Sequence, residues 1–316
     1  MEKLPFHYIL VVHNPKSTNA RNTERRIGEL RTLSPAIPVE VIETSPKGRV
    51  ANKRLLAKQA GKLGPHTLLC IAAGDGTINI LVEALLQDAA FSAQARKTPV
   101  LPLWCGNAND LAHMLNGKSY RTQLGTLLAN ARAVKVYPLE CKLTGPDGTV
   151  VTYLAVSYAS FGASAVATVA LRKAIRKTTA LQRVPAALFL QEAAIAGKAL
   201  LRAPTFMVRE GETETPVFER ICFNGPRLAK ISGVRQPLTE AGFHEATVRK
   251  RASEIVTSVY ELAHPKHSRK YARVRTEYTI LQDTCAQFDG EAFPVAAGTH
   301  VVITVAKTPL YALARL

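Results

Sequence analysis

Short apolar runs at Tyr8–Val12, Val39–Ile42, Thr67–Ile71 and Val100–Trp104 punctuate the first part of the chain. Between them lie Thr23–Leu33, Arg49–Lys62 and Ile78–Ala89, whose apolar positions recur at helical spacing. Strand and helix in alternation predict parallel β-α-β units with buried strands. From about Ala133 the pattern changes to short segments separated by turn residues: Val134–Leu139, Val150–Ser157, Thr205–Arg209, Val217–Phe223, Ala246–Arg249, Ala272–Leu281 and His300–Ala306. These predict an antiparallel sandwich or barrel. One helical insertion, about Ala163–Leu201, interrupts it, and no internal repeat or low-complexity tract is present. The reading is therefore two domains, α/β over residues 1–132 and all-β over 133–306, with the boundary near Arg132.

Turn chemistry refines this picture. Pro146-Asp147-Gly148 is a hairpin signal, and Asp289-Gly290 is a second one between Gln287-Phe288 and Ala292-Phe293. Ala73-Gly74-Asp75-Gly76-Thr77 follows a buried strand and opens a helix carrying Ile78, Leu81 and Leu85. Glycines let the backbone approach an anion, and the free N–H groups of a first helical turn point at it, so this is phosphate-binding architecture. Asp75 beside phosphates calls for a cation, and a magnesium-linked role resolves the repulsion. A plain strand-to-helix turn with Asp75 or Thr77 as helix cap is the competing reading.

The next strand ends in Gly106-Asn107-Ala108-Asn109-Asp110, where Asn107 and Asn109 can exchange hydrogen bonds with a nucleotide and Asp110 can serve as a helix cap. Asn14-Pro15-Lys16-Ser17-Thr18 follows the first strand and Thr44 the second. Ligands in open α/β sheets bind at the carboxyl ends of the strands, and four such ends here carry polar loops. The remaining carboxylate pair is Asp289 and Glu291, candidates to accept the proton of an attacking hydroxyl, against the reading of an ordinary Asp-Gly hairpin.

Charge adds a partner class. With 41 Lys and Arg against 24 Asp and Glu, the formal net charge is +17, and the surface attracts polyanions. Arg172, Lys173, Arg176 and Lys177 form a basic helical face, and Lys266–Arg275 a second basic stretch. Both are expected to meet anionic lipid, giving peripheral membrane attachment. The five scattered cysteines argue against a disulfide framework and for a reducing, cytoplasmic setting. No signal peptide is expected, and Val184–Leu201 is too polar to span a bilayer. Asn116-Gly117-Lys118-Ser119 lacks the leading glycine and preceding strand of a P-loop, and His264 and His267 have no cysteine partner for zinc. The basic Arg269–Arg275 strand has no accompanying aromatic RNA motif, so no specific nucleic acid is expected.

Taken together, Asn14-Pro15, Ala73–Thr77, Pro102-Leu103 through Asn109-Asp110, Ser160-Phe161-Gly162-Ala163 and Asp289-Gly290-Glu291 resemble, in order and spacing, the diacylglycerol kinase catalytic family. That family includes bacterial lipid kinases and sphingoid-base kinases. The resemblance implies a Rossmann-like three-layer nucleotide-binding domain, a β-sandwich carrying lipid and metal contacts, and a final segment, about 307–316, that packs back on the first domain. It implies ATP and Mg²⁺ as cofactors and a lipid hydroxyl, diacylglycerol or sphingoid-like, as acceptor. It puts nucleotide contacts on Asn14, Thr44, Gly74, Asp75, Gly76, Thr77, Asn79, Gly106, Asn107 and Asn109. Proton acceptance falls on Asp289 or Glu291, with Asp75 a further catalytic carboxylate.

Departures are Ala73 in place of a glycine, the Asn14-Pro15 loop without its usual glycine, and Ala241 where the family carries a magnesium-binding carboxylate. Its neighbour Glu240 is a candidate metal ligand beside Asp75; the alternatives are that Asp75 and ATP meet the metal demand or that this second site is absent. An NAD kinase uses the same Gly-Asp-Gly-Thr turn and is the nearest rival enzyme, and a catalytically weak nucleotide- or lipid-binding module is the rival of another class. A homodimer is left open.

Overall fold

The computed structural model describes residues 5–17, 20–33, 35–106, 109–116, 124–175, 185–224, 242–251, 253–254 and 272–315. Its first part runs β1 (Tyr8–His13), α1 (Ala20–Leu33), β2 (Val39–Glu43), α2 (Arg49–Ala57), β3 (Thr67–Ala73), α3 (Asp75–Gln87), β4 (Val100–Trp104), α4 (Asp110–Asn116), α5 (Leu124–Asn130) and β5 (Ala131–Val136). The second part begins with β6 (Leu139–Thr144), β7 (Val150–Ala155), β8 (Tyr158–Gly162), α6 (Ala163–Ile175), α7 (Pro185–Arg202), β9 (Phe206–Glu210) and β10 (Thr213–Val217). It continues with β11 (Glu219–Phe223), β12 (Phe243–Val248), β13 (Ala272–Arg273), β14 (Arg275–Ile280), β15 (Thr284–Phe288), β16 (Glu291–Val295), β17 (His300–Val305) and β18 (Leu310–Arg315).

The first sheet has the order β2-β1-β3-β4-β18-β5, and β1 to β4 pair in parallel. The central strands β1, β3 and β4 are apolar on both faces because both faces are covered. Ile9, Val11, Leu68, Cys70 and Ala72 point to a layer with Ile27 and Leu30 of α1 and Leu124 and Leu127 of α5. The alternate residues Leu10, Val12, Leu69, Ile71 and Ala73 meet Ile78, Leu81 and Leu85 of α3. One strand period of two thus feeds two helix layers. The terminal β18 inserts between β4, parallel, and β5, antiparallel. The expected boundary residue Arg132 lies inside β5, so the chain leaves this sheet at Tyr137-Pro138.

The remaining strands make two sheets, β10-β9-β14-β17-β6-β7 and β13-β12-β11-β8-β15-β16, with antiparallel pairings. Between them Leu139, Cys141, Phe206, Tyr278 and Ile303 of one sheet pack on Phe161, Cys222, Phe243 and Phe288 of the other, the core of a β-sandwich. The expected strand Val217–Phe223 is two strands, since β10 ends at Val217 in one sheet and β11 begins at Glu219 in the other. The insertion is also two elements, α6 and α7, the second opened by Pro185, a residue suited to a first helical position. Among the described residues no helix is long and apolar enough to cross a membrane.

Candidate active site

Gly74 is extended (φ −80°, ψ 166°), and its carbonyl accepts the Thr77 and Ile78 N–H groups at 3.0 and 3.1 Å, starting α3 directly at the end of β3. Among described non-glycine residues only Asn109 and Asp289 have positive φ. Ala73 therefore sits in ordinary extended backbone and replaces a glycine without strain. Gly106 has no such freedom, because a Cβ there would lie 2.4 Å from the Gly74 Cα. The ends of β3 and β4 approach so closely that only glycine fits at 106.

The loop after β4 is held by its own asparagine. The Asn109 amide donates to the Gly106 carbonyl at 2.7 Å and accepts the Gly106 N–H at 2.8 Å, while the Asn109 N–H donates to Asp75 Oδ2 at 2.8 Å. Such local closure suits its φ of 55°, a conformation asparagine tolerates. On the other side, the Asn14 N–H donates to the Ala72 carbonyl at 3.0 Å, and its Nδ2 lies 3.4 Å from Thr77 Oγ1. Ser17 Oγ bonds the Cys105 carbonyl, and the Thr44 N–H donates to the His13 carbonyl at 2.7 Å. Contacts therefore link Asn14, Asp75, Thr77, Gly106 and Asn109, with Thr44 at the neighbouring strand end. Asn107 lies outside the described residues.

Two carboxylates converge here in different states. Asp289 is 2 % exposed, and both of its oxygens are occupied. Oδ2 accepts from Asn79 Nδ2 at 2.8 Å and the Val156 N–H at 2.5 Å, and Oδ1 accepts from the N–H groups of Ser157 and Tyr158 at 2.9 Å each. Burial raises its pKa from 3.8 to about 6, against the opposing pull of these donors. Asp75 takes the Asn109 N–H on Oδ2, but its buried Oδ1 has no partner. Burial first, then the charges of Asp110 and Asp289, raise Asp75 from 3.8 to about 7. Asn79 also keeps a partnerless buried Oδ1, because its NH₂ group is committed to Asp289 and to the Leu154 carbonyl at 2.5 Å.

The third carboxylate arrives through the Asp289-Gly290 turn, whose φ values of 45° and 85° are those of a type I′ hairpin. This turn sets Glu291 against the first turn of α3, where a Cβ on Gly76 would lie 2.6 Å from Glu291 Oε1. Glycine at 76 makes room for that side chain. Residues 240 and 241 lie outside the described residues, so the Glu240 expectation has no geometry attached to it. Among the described residues no group of three or more His, Cys, Asp or Glu side chains is arranged to hold a metal.

Sequence reasoning missed Glu83, a lone acid in the apolar stretch of α3. It is 1 % exposed, pairs with Arg49 and Lys53 of α2, and accepts the Leu154 N–H at 3.2 Å. Its position amid Val82, Ala84 and Leu85 is itself the available signal, since an acid is fully buried almost only when paired.

Residues 8–139 match the model of the diacylglycerol kinase catalytic domain. Asp289 and Glu291 lie beyond it. Among solved structures, a diacylglycerol kinase from Bacillus anthracis str. Sterne is similar at 12% identity and TM-score 0.62, covering 99% of this chain and 98% of that one. Yeast NADH kinase complexed with NADH is similar at 13% identity and TM-score 0.55, covering 99% and 84%. At such identities the likeness is one of fold, and it bears out the α/β domain joined to antiparallel β-sheets. No curated protein matches the sequence.

Proposed function

We propose that this protein is an ATP-dependent kinase that transfers the γ-phosphoryl group to a hydroxyl of a lipid, diacylglycerol or sphingoid-like. The observation that carries the reading is a glycine-lined helix start with an adjacent carboxylate oxygen, Asp75 Oδ1, that is buried and uncommitted. The N–H groups of the first turn of α3, together with Asn14 and Thr77, receive the phosphates. Asp75 accepts the proton as the lipid oxygen bonds to phosphorus and the bond to the ADP oxygen breaks. A pKa near 7 suits a base working near neutral pH. Asp289, with both oxygens engaged, holds the geometry rather than taking the proton, and Glu291 faces the phosphate turn.

With no metal-holding group of side chains among the described residues, a magnesium ion would arrive on the ATP phosphates, whose charge it would neutralise, and Asp75 Oδ1 stays available for the proton. Peripheral attachment to anionic membrane is supported by the net charge of +17 and by Leu201, 80 % exposed beside exposed Lys198 and Arg202 at the end of α7. The side chains of Arg172, Arg176 and Lys177 and residues 266–271 lie outside what is described.

The fold shared with yeast NADH kinase supports a second reading, a kinase of NAD or NADH. Incubation of the protein with γ-labelled ATP, Mg²⁺ and, in separate reactions, diacylglycerol micelles, sphingosine micelles, NAD and NADH tests both. Label in the lipid phase is expected; label on a dinucleotide selects the second reading, and ATP binding without any product reduces the protein to a binding module.

A further inference from the structure

The strand β7 lies at the edge of its sheet, yet both backbone groups of Leu154 are taken. They are taken by two side chains one turn apart on α3: Asn79 Nδ2 donates to the carbonyl at 2.5 Å, and Glu83 Oε2 accepts the N–H at 3.2 Å. The helix that starts at the phosphate turn thus pairs with β7 as a neighbouring strand would. Immediately after β7, the N–H groups of residues 156 to 158 all converge on Asp289, which also holds Asn79.

A second link runs in parallel. The guanidinium of Arg49, ion-paired with Glu83, lies 5.2 Å from the ring centroid of Tyr153. Tyr153 in turn packs on Phe288 at 5.0 Å and Phe293 at 4.8 Å, residues on either side of the Asp289-Gly290-Glu291 turn. That turn puts Glu291 back on Gly76. The connections close a ring that leaves α3 at residues 79 and 83 and returns to its first turn.

We propose that Glu83 is a positioning residue for phosphoryl transfer, holding the edge of β7 so that the Asp289 turn presents Glu291 to the phosphate turn. The inference rests on the kinase reading above. The part that acts is the oxygen accepting the Leu154 N–H; Arg49 and Lys53, with 25 % and 29 % of their side chains exposed, balance the charge. Glutamine keeps an acceptor oxygen there, with its NH₂ group toward Lys53, whose partly exposed ammonium can turn to solvent. Methionine keeps the volume and loses the acceptor.

The test compares the full-length wild type, Glu83→Met and Glu83→Gln by steady-state kinetics and by hydrogen exchange of peptides spanning residues 150–160 and 285–293. Lys62→Met, which breaks the surface pair with Glu40, controls for loss of charge. For Glu83→Met the expected result is a kcat at least ~10-fold lower, a KM for ATP within about twofold of wild type, and faster exchange confined to those two segments. Glu83→Gln is expected to restore kcat and exchange to within about threefold of wild type. If Glu83→Met is insoluble, Arg49→Met, which removes the stacked link and one of the two ion pairs of Glu83 while leaving its acceptor oxygen for Leu154, is expected to lower kcat and speed exchange at 285–293. Wild-type exchange at both segments, faster exchange spread over the whole chain, or a kcat that falls only with the folded fraction would overturn the proposal. If the wild type phosphorylates no acceptor, the kinase reading fails and the exchange pattern still decides whether Glu83 holds the turn.

Discussion

Truncation of Asp289 separates a positioning carboxylate from a proton acceptor. Asp289→Ala strips partners from four buried donors, Asn79 Nδ2 and the N–H groups of Val156, Ser157 and Tyr158. Each buried donor left unpaired costs about 1–3 kcal/mol, so the set costs roughly 4–12 kcal/mol. Part is offset, because raising this carboxyl from 3.8 to about 6 corresponds to about 3 kcal/mol of disfavoured charge that the alanine variant no longer carries. A net loss near ~5 kcal/mol is a large share of a typical folding stability of ~5–15 kcal/mol. Asp289→Asn can keep one oxygen's pair of bonds but turns an NH₂ against the other two donors, so its loss is smaller.

Urea titrations monitored by circular dichroism check the order wild type, then Asn, then Ala. The sign with pH is also fixed. A carboxyl raised in the folded state contributes stability that is full below 3.8 and is lost as pH rises through about 6, so the gap between wild type and Asp289→Ala widens as pH falls from 7 to 5. Unchanged stability in both variants, with turnover abolished, would refute the reasoning and return the proton to Asp289.

Further consequences follow from the same contacts. Gly106→Ala drives a methyl into the Gly74 backbone and is expected to destabilise by about 1–3 kcal/mol and weaken ATP binding, measured by thermal melts and calorimetry. Gly76→Ala meets only the end of the Glu291 side chain, so it is expected to keep its melting temperature and lose turnover as Glu291 is displaced. With Asp75 as base, kcat/KM rises with pH through about 7. The Asp75→Asn variant lacks that rise and is relatively more stable above pH 7 than at pH 4, because the raised carboxyl of the wild type has by then lost its contribution. Co-sedimentation with phosphatidylserine vesicles is expected to fall steeply with salt, at about 1 kcal/mol per basic residue near the surface; salt-independent binding would remove the electrostatic part of the membrane reading.

What the sequence disclosed was what its local patterns encode. The central parallel strands β1, β3 and β4 are apolar runs, and the two Gly-containing hairpins carry their turn residues in place, so both were legible. The insertion of β18 between β4 and β5 was not readable from Leu310–Arg315 alone, because pairing with strands some two hundred residues away leaves no local period. The split of Val217–Phe223 was hidden because no Gly, Asn or Pro marks a turn between Val217 and Glu219, where the chain passes from one sheet to the other.

At the site, residue types were legible and their commitments were not. Asn109 reads as a nucleotide contact, yet its amide closes its own loop. Asp289 and Asp75 both read as catalytic acids, and only the three-dimensional hydrogen bonds distinguish the fully engaged oxygens of one from the uncommitted oxygen of the other. Glu83 announced itself as an anomaly in an apolar helix, but its partners at Arg49 and Leu154 come from separate elements.

The central claim is tested most directly by following γ-labelled phosphate from Mg-ATP into the organic phase of diacylglycerol and sphingosine micelles, with wild type and Asp75→Asn side by side. The account predicts labelled lipid from the wild type and at least a ~100-fold lower rate from Asp75→Asn with its ATP affinity retained. Label confined to NAD or NADH, or lipid phosphorylation undiminished in Asp75→Asn, would contradict it.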